Sequence, residues 1–188
     1  MEKELHYFKN SEEWREWLHH SHQNSKGVEL IFYKVGSSFK SMRWEAAVQV
    51  ALCYGWIDST VRKLGEERRR QVFTPRKDKS VWSKLNKSYV EKLLNENLMH
   101  PSGLIKIEIA KSIGTWQSLD SVENHEIPDD LLLAFKKNTG AYTNYLNFSP
   151  SYRKSYLYWL SQAKLAKTRA TRIQTIVSLC EQNLKSRP

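Results

Sequence analysis

The chain has 188 residues, of which 40% are hydrophobic and 12% aromatic, including seven Trp and nine Tyr; a chain this rich in large side chains can fill a core and is not disordered. Seven Gly and five Pro exclude collagen-like, linker-rich and solenoid architectures. The formal net charge of +10 points to polyanions (nucleic acid, an anionic lipid surface or a phosphorylated ligand), although no one segment concentrates it and a plain solvated surface is the preferred reading.

In chain order, Met1-Glu2-Lys3-Glu4-Leu5-His6 is charged and is followed by no apolar run, so neither a secretory signal nor a membrane span is expected. Asn10 or Ser11 can cap a first helix, with Glu12 and Glu13 at its positive end and Trp14, Trp17 and Leu18 on one face. Val28-Glu29-Leu30-Ile31-Phe32-Tyr33 predicts an inner strand. Trp44 to Tyr54 is apolar almost all round, which predicts a helix buried at the centre of its domain. Gly55 breaks it, and Trp56–Val61 and Arg69–Thr74 read as the arms of a hairpin turning near Gly65-Glu66, ended by Pro75.

Everything after Ser83 shows helical periods only. Ser83 to Asn97 carries Leu85, Tyr89, Leu93 and Leu94 at helical spacing, Pro101 suits a helix start, and Ser118 to Glu126 reads as a connector. Pro128 and Ser149-Pro150 open further helices, and Ala170, Ile173, Ile176, Val177, Cys180 and Leu184 form the stripe of the last one. The prediction is a helix-rich α+β protein: a module over residues 1–120 with a small antiparallel sheet and helices, then an all-helical module over 127–188. Cys53 and Cys180 lie inside apolar stretches, and two cysteines make no disulfide framework; both are expected to be buried thiols in a reducing compartment, the cytoplasm.

Two constellations carry candidate ligand chemistry. Trp56 and Asp58 project to one face of their strand, while Arg76 and Trp82 flank the loop beyond its partner, with Asn86 just after. Aromatic walls around an Arg, an Asp and an amide suit a small-molecule pocket. The competing reading is an Asp58–Arg76 ion pair with the Trp residues as core. In the last module, Lys164, Thr168 and Arg172 are four residues apart, with Arg169 at the edge of the apolar stripe; cations and helix donors converging there would suit phosphate or carboxylate. Against this stands a set of surface cations. Arg169 is expected to need a buried acceptor, and Asp58 is the acid set among aromatics, which predicts one cleft between the modules.

Other signals are weaker. His19, His20 and His22 lack a carboxylate or Cys at ligand spacing, so no metal is expected, and no phosphate loop or dinucleotide fingerprint implies a cofactor. Cys53 as a nucleophile would need an open, electropositive setting that an all-apolar helix does not offer. Arg68-Arg69-Arg70 could track a phosphate backbone with aromatic neighbours for stacking, an alternative that makes the chain a nucleic-acid binder. A further alternative is a small-molecule enzyme with Asp58 as acid/base; no catalytic set is otherwise visible.

Several strings resemble a known family. Ala51-Leu52-Cys53-Tyr54-Gly55-Trp56-Ile57-Asp58, then Phe73-Thr74-Pro75-Arg76 with Ser80-Val81-Trp82-Ser83-Lys84-Leu85-Asn86, then Gly114-Thr115-Trp116, and finally Ser149-Pro150-Ser151, Trp159, Ala163-Lys164, Thr168-Arg169 and Arg172-Ile173 are similar to motifs of the YdeI/OmpD-associated (bacteriocin-protection) family. The likeness runs from about Trp14 to Lys185. It departs from the family at Gly65, where Asp is common, and at Leu165-Ala166-Lys167, where Pro is common, leaving the last two helices separate or fused. The resemblance implies a role in protection against bacteriocins or antimicrobial peptides and a protein partner such as a porin, and it implies no reaction. The expected function is therefore a protection-type protein that binds a small anionic ligand or a partner protein.

Overall fold

Strand formers cluster in the first half of the chain, and there they build one sheet. In the computed structural model, which describes residues 3–186, β1 (Glu4–His6), β2 (Val28–Tyr33), β3 (Trp56–Leu64) and β4 (Arg68–Pro75) lie in the order β1-β2-β4-β3. The β2–β4 and β3–β4 pairs are antiparallel as expected, but β1 pairs with β2 in parallel, so the sheet is mixed. β1 has three residues and no alternation long enough to mark it in sequence.

The chain divides into two units, Met1–Gln117 and Ser118–Pro188. In the first, α1 (Ser11–Ser21) is capped by the Asn10 side chain, which accepts from the Glu13 N–H at 2.9 Å. α2 (Trp44–Cys53) is buried along Ala47, Val48, Val50, Ala51, Leu52 and Cys53, as its all-round apolar sequence requires. α3 (Lys84–Asn95) starts from Ser83, whose hydroxyl accepts from the Asn86 N–H at 3.2 Å, and α4 (Pro101–Ser112) starts on Pro101. Trp14, Leu18, Val28, Leu30, Leu52, Trp56, Phe73 and Trp82 make the centre of this core.

The second unit is α5 (Asp120–Glu123), α6 (Asp129–Lys136), α7 (Thr139–Asn147), α8 (Pro150–Ser161) and α9 (Ala166–Glu181). α9 packs on α6, α7 and α8, and Leu131, Phe135, Tyr145, Tyr156, Leu160 and Ile176 are buried among them. No strand occurs beyond Pro75 among the described residues. The last two helices are separate, parted by Gln162–Leu165.

One irregularity positions the site. Asp58 pairs with Phe73 but Val61 pairs with Gln71, so Ser59 and Thr60 together oppose Val72 in a bulge. Simple alternation from Asp58 would send Val61 and Lys63 to the far face. The extra residue returns them to the face of Trp56 and Asp58. That face runs in three rungs: Val28, Phe73, Asp58; then Leu30, Gln71, Val61; then Phe32, Arg69, Lys63. It is apolar at one end, where the helices cover it, and cationic at the other.

Candidate anion-binding groove

At the cationic end the face opens into a cavity of about 720 Å³. Its apolar lining comes from Phe32, Met42, Trp44 and Val61. Its cations are Lys34, Arg43, Lys63, Arg68 and Arg69, against two carboxylates, Glu45 and Glu66. Volume and mixed lining match a site for a small ligand with a charged end. The register places Lys63 directly opposite Arg69, and like charges so placed repel across a strand pair. Among the described residues no ion pair reaches either; the Arg69 guanidinium instead lies 5.6 Å from the centre of the Phe32 ring. On the opposite face, the equivalent clash of Arg62 with Arg70 is relieved, because Arg70 reaches Glu29 at 2.9 Å.

Asp58 lies on the same face, two rungs inward from Lys63 and Arg69. Its Oδ2 accepts from the indole N–H of Trp44 at 3.0 Å and from the side-chain amide of Gln71 at 2.5 Å. The Trp44 bond ties the first turn of α2, and with it one wall of the groove, to the sheet, and the Gln71 bond crosses from β4 to β3. Asp58 makes no ion pair with Arg76. That cation is 3% exposed, stacks 3.7 Å above the ring of Trp82, donates to the Val81 carbonyl at 2.9 Å, and leaves its Nε–H without a partner. Burial pushes its pKa down to about 10, an effect that the charge of Asp58 opposes. Trp56 and Trp82 are both fully buried core residues, and Asn86 stands in the first turn of α3. Of the N-terminal residues read as a pocket, then, Asp58 adjoins the groove while the two Trp residues fill core.

The basic residues of the last module are placed differently from expectation. Lys164 lies before α9 rather than on it, and Thr168 sits in its first turn. Arg169 finds its acceptor within its own unit: Nε and Nη2 donate to the two oxygens of Asp130 at 2.5 and 2.9 Å, and the pair is only half-buried. The need for a buried partner that pointed to Asp58 is thereby met on α6. Arg172 donates to the Trp159 carbonyl at 2.5 Å and lies 5.0 Å from the centre of that ring.

Both cysteines are buried and free. Burial raises the Cys53 thiol despite the Arg15 guanidinium 3.5 Å away, and pushes Cys180 up to about 12. No group of three or more His, Cys, Asp or Glu among the described residues could hold a metal, and no helix among them is long and apolar enough to cross a membrane.

Sequence reading missed Lys63 and Arg43 as site residues. The first is hidden by the bulge, and the second belongs to a loop whose course over the sheet is set by tertiary contacts, among them a bond from the Tyr7 hydroxyl to the Lys40 carbonyl.

Comparison with known proteins divides the chain much as the contacts do. The family model described as bacteriocin-protection, YdeI or OmpD-associated matches residues 124–183, so the resemblance read along most of the chain is confined there to the helical unit. No curated protein and no solved structure matches the chain. The model described as a domain of unknown function (DUF8412) matches residues 6–106, which hold β2 to β4, the groove and α1 to α3, and cover more than half of the 188 residues; the chain belongs to that family.

Proposed function

We propose that this is a protection-type protein of the YdeI/OmpD-associated kind, acting in the cytoplasm, whose N-terminal unit binds a small anionic ligand in the groove over β2, β4 and β3. One observation carries the reading. Lys63 and Arg69 face each other on one side of the hairpin and neither is ion-paired among the described residues, although Glu45 and Glu66 line the same groove, beside Arg43 and Lys34 and above an apolar floor. An anion bound between them removes a repulsion that the free protein sustains, so binding and stability are linked. The match of residues 124–183 supports the protective role, and in that reading the helical unit serves a partner protein.

The test is thermal unfolding with inorganic phosphate, against sodium chloride at equal ionic strength. Phosphate is expected to raise the melting temperature of the wild type beyond the chloride control. Lys63→Ala and Arg69→Ala are expected to abolish that rise while leaving the fold intact, since both side chains are exposed. A rise that survives both substitutions would place the anion elsewhere.

A further inference from the structure

The lining of the groove is ionic or apolar, with almost nothing in between. Among the described residues no Ser, Thr, Asn, Gln or His lines it. Of its two uncharged polar side chains, Tyr33 belongs by strand register to the other face of the sheet, and the Trp44 indole N–H is already bonded to Asp58. A sugar, a polyol or a peptide would find few neutral partners here for its hydroxyls or amides, at a cost that disfavours all three. What remains for recognition is charge at one end and apolar surface at the other.

The two kinds of surface lie on one face and follow one another along it. Lys63 and Arg69 share their rung with Phe32. Val61 stands one rung further in, about 7 Å along the strand at about 3.4 Å per residue, and Trp44 is held over the next rung by its bond to Asp58. Apolar surface thus begins at the cation pair and continues inward. Phe32 and Met42 are buried, but Val61, which the bulge brings to this face, is 48% exposed, an apolar side chain left open in the groove. The cavity of about 720 Å³ is far larger than an inorganic anion and falls in the range of about 300–1,000 Å³ typical of organic ligands. We infer that the ligand is an amphipathic carboxylate, a free acid whose head lies between Lys63 and Arg69 and whose apolar body lies on Phe32, Val61 and Trp44. This rests on the anion-binding reading above and names the chemical class of the anion.

Binding would be measured by calorimetry on the full chain with sodium acetate, butyrate, hexanoate and octanoate at equal ionic strength. Octanamide serves as the neutral control and inorganic phosphate as the compact anion. Each two added methylenes are expected to tighten binding about fivefold, short of the roughly 15-fold that full burial gives, because the groove is open on one side. Octanoate is expected to bind at least about tenfold more tightly than octanamide, the scale of a hydrogen bond to a charged group. Val61→Asn, at an exposed position, should flatten the dependence on chain length and leave acetate unchanged. Lys63→Ala should weaken every carboxylate by one common factor and leave octanamide as it was. A wild type indifferent to chain length, or a dependence that persists in full in Val61→Asn, overturns the amphipathic assignment. The anion groove then stands if phosphate binds and loses affinity in Lys63→Ala, and it falls as well if no anion binds. Octanamide binding as tightly as octanoate overturns both readings, since the groove would then recognise no charge.

Discussion

Gly103, in the first turn of α4, lies directly against the carbonyl of Cys53 at the end of α2. A Cβ built on Gly103 would stand 2.2 Å from that oxygen and 2.8 Å from the Leu52 oxygen. The same Cys53 oxygen accepts from the His100 N–H at 3.1 Å, and the Ser102 hydroxyl donates to the Tyr54 carbonyl at 3.1 Å. Backbone therefore meets backbone here, and no side chain can yield. Gly103→Ala gains helix propensity of about 1 kcal/mol, but the clash outweighs it. The expected net loss is about 3 kcal/mol, as overpacking of a close contact gives, read from the urea midpoint.

Arg76 is a buried cation whose strongest partners are a carbonyl and an indole face. Holding it charged costs on the order of 3 kcal/mol at neutral pH, given the pKa of about 10 that burial imposes. Stacking and the bond to Val81 offset part of that. Arg76→Met keeps the unbranched stem out to the Nε position and removes the charge, so its stability is expected within about 1 kcal/mol of wild type or above it. Arg76→Ala leaves a void beside Trp82 and is expected to lose about 2–3 kcal/mol. Urea unfolding of the two variants, followed by Trp fluorescence, separates packing from charge.

The pair Asp130–Arg169 has good geometry but stands half in water, with side chains 44% and 32% exposed. Its contribution is that of a surface bridge, and Arg169→Ala should lower stability by at most about 1 kcal/mol. The Arg169 hydrogen bond holds the Asp130 carboxyl below its ordinary range. A depressed acid stabilises the fold above its unfolded pKa, and that stabilisation disappears as pH falls through the folded value. The difference between wild type and variant should accordingly shrink in acid and in high salt.

What could be read from sequence was whatever is local. The buried α2, the hairpin, the Ser83 cap and the Pro101 start each rest on neighbours within a turn or two. α7 escaped notice because Gly140, Thr143 and Asn144 dilute its apolar positions, although Asn138 caps it and Ala141 and Tyr145 are buried behind the cap. The groove escaped for a different reason. Lys63 meets Arg69 only because two residues of β3 oppose one of β4, and a bulge leaves no mark in composition. The partner of Arg169 is 39 residues away in sequence, on a helix whose placement only packing decides.

Three histidines, His19, His22 and His100, gather where α1, α2 and α4 meet. The His100 ring lies 4.9 Å from His22 and 6.1 Å from His19, and stacks on Tyr54 at 4.8 Å. Its Nδ1 accepts from the Ser102 N–H at 3.2 Å, which caps α4. Arg15 lies 6.0 Å from the centre of the Tyr54 ring, and Lys106, near Gly55, is paired with Asp78 at 2.7 Å. A proton on His100 would sit beside two further imidazoles, at the positive end of a helix, and would turn the capping acceptor into a donor aimed at an N–H. Burial, then His22 and His19, lower its pKa accordingly. For a base with a lowered folded pKa, stability is whole above the unfolded value of about 6.5 and falls as pH drops through it toward the folded value. The urea midpoint of the wild type is expected to decline from about pH 7.5 to about pH 5. His100→Asn keeps a capping acceptor and removes the titration, so its midpoint should decline distinctly less over the same range. Identical slopes for the two proteins would mean that His100 is not the group that takes up the proton.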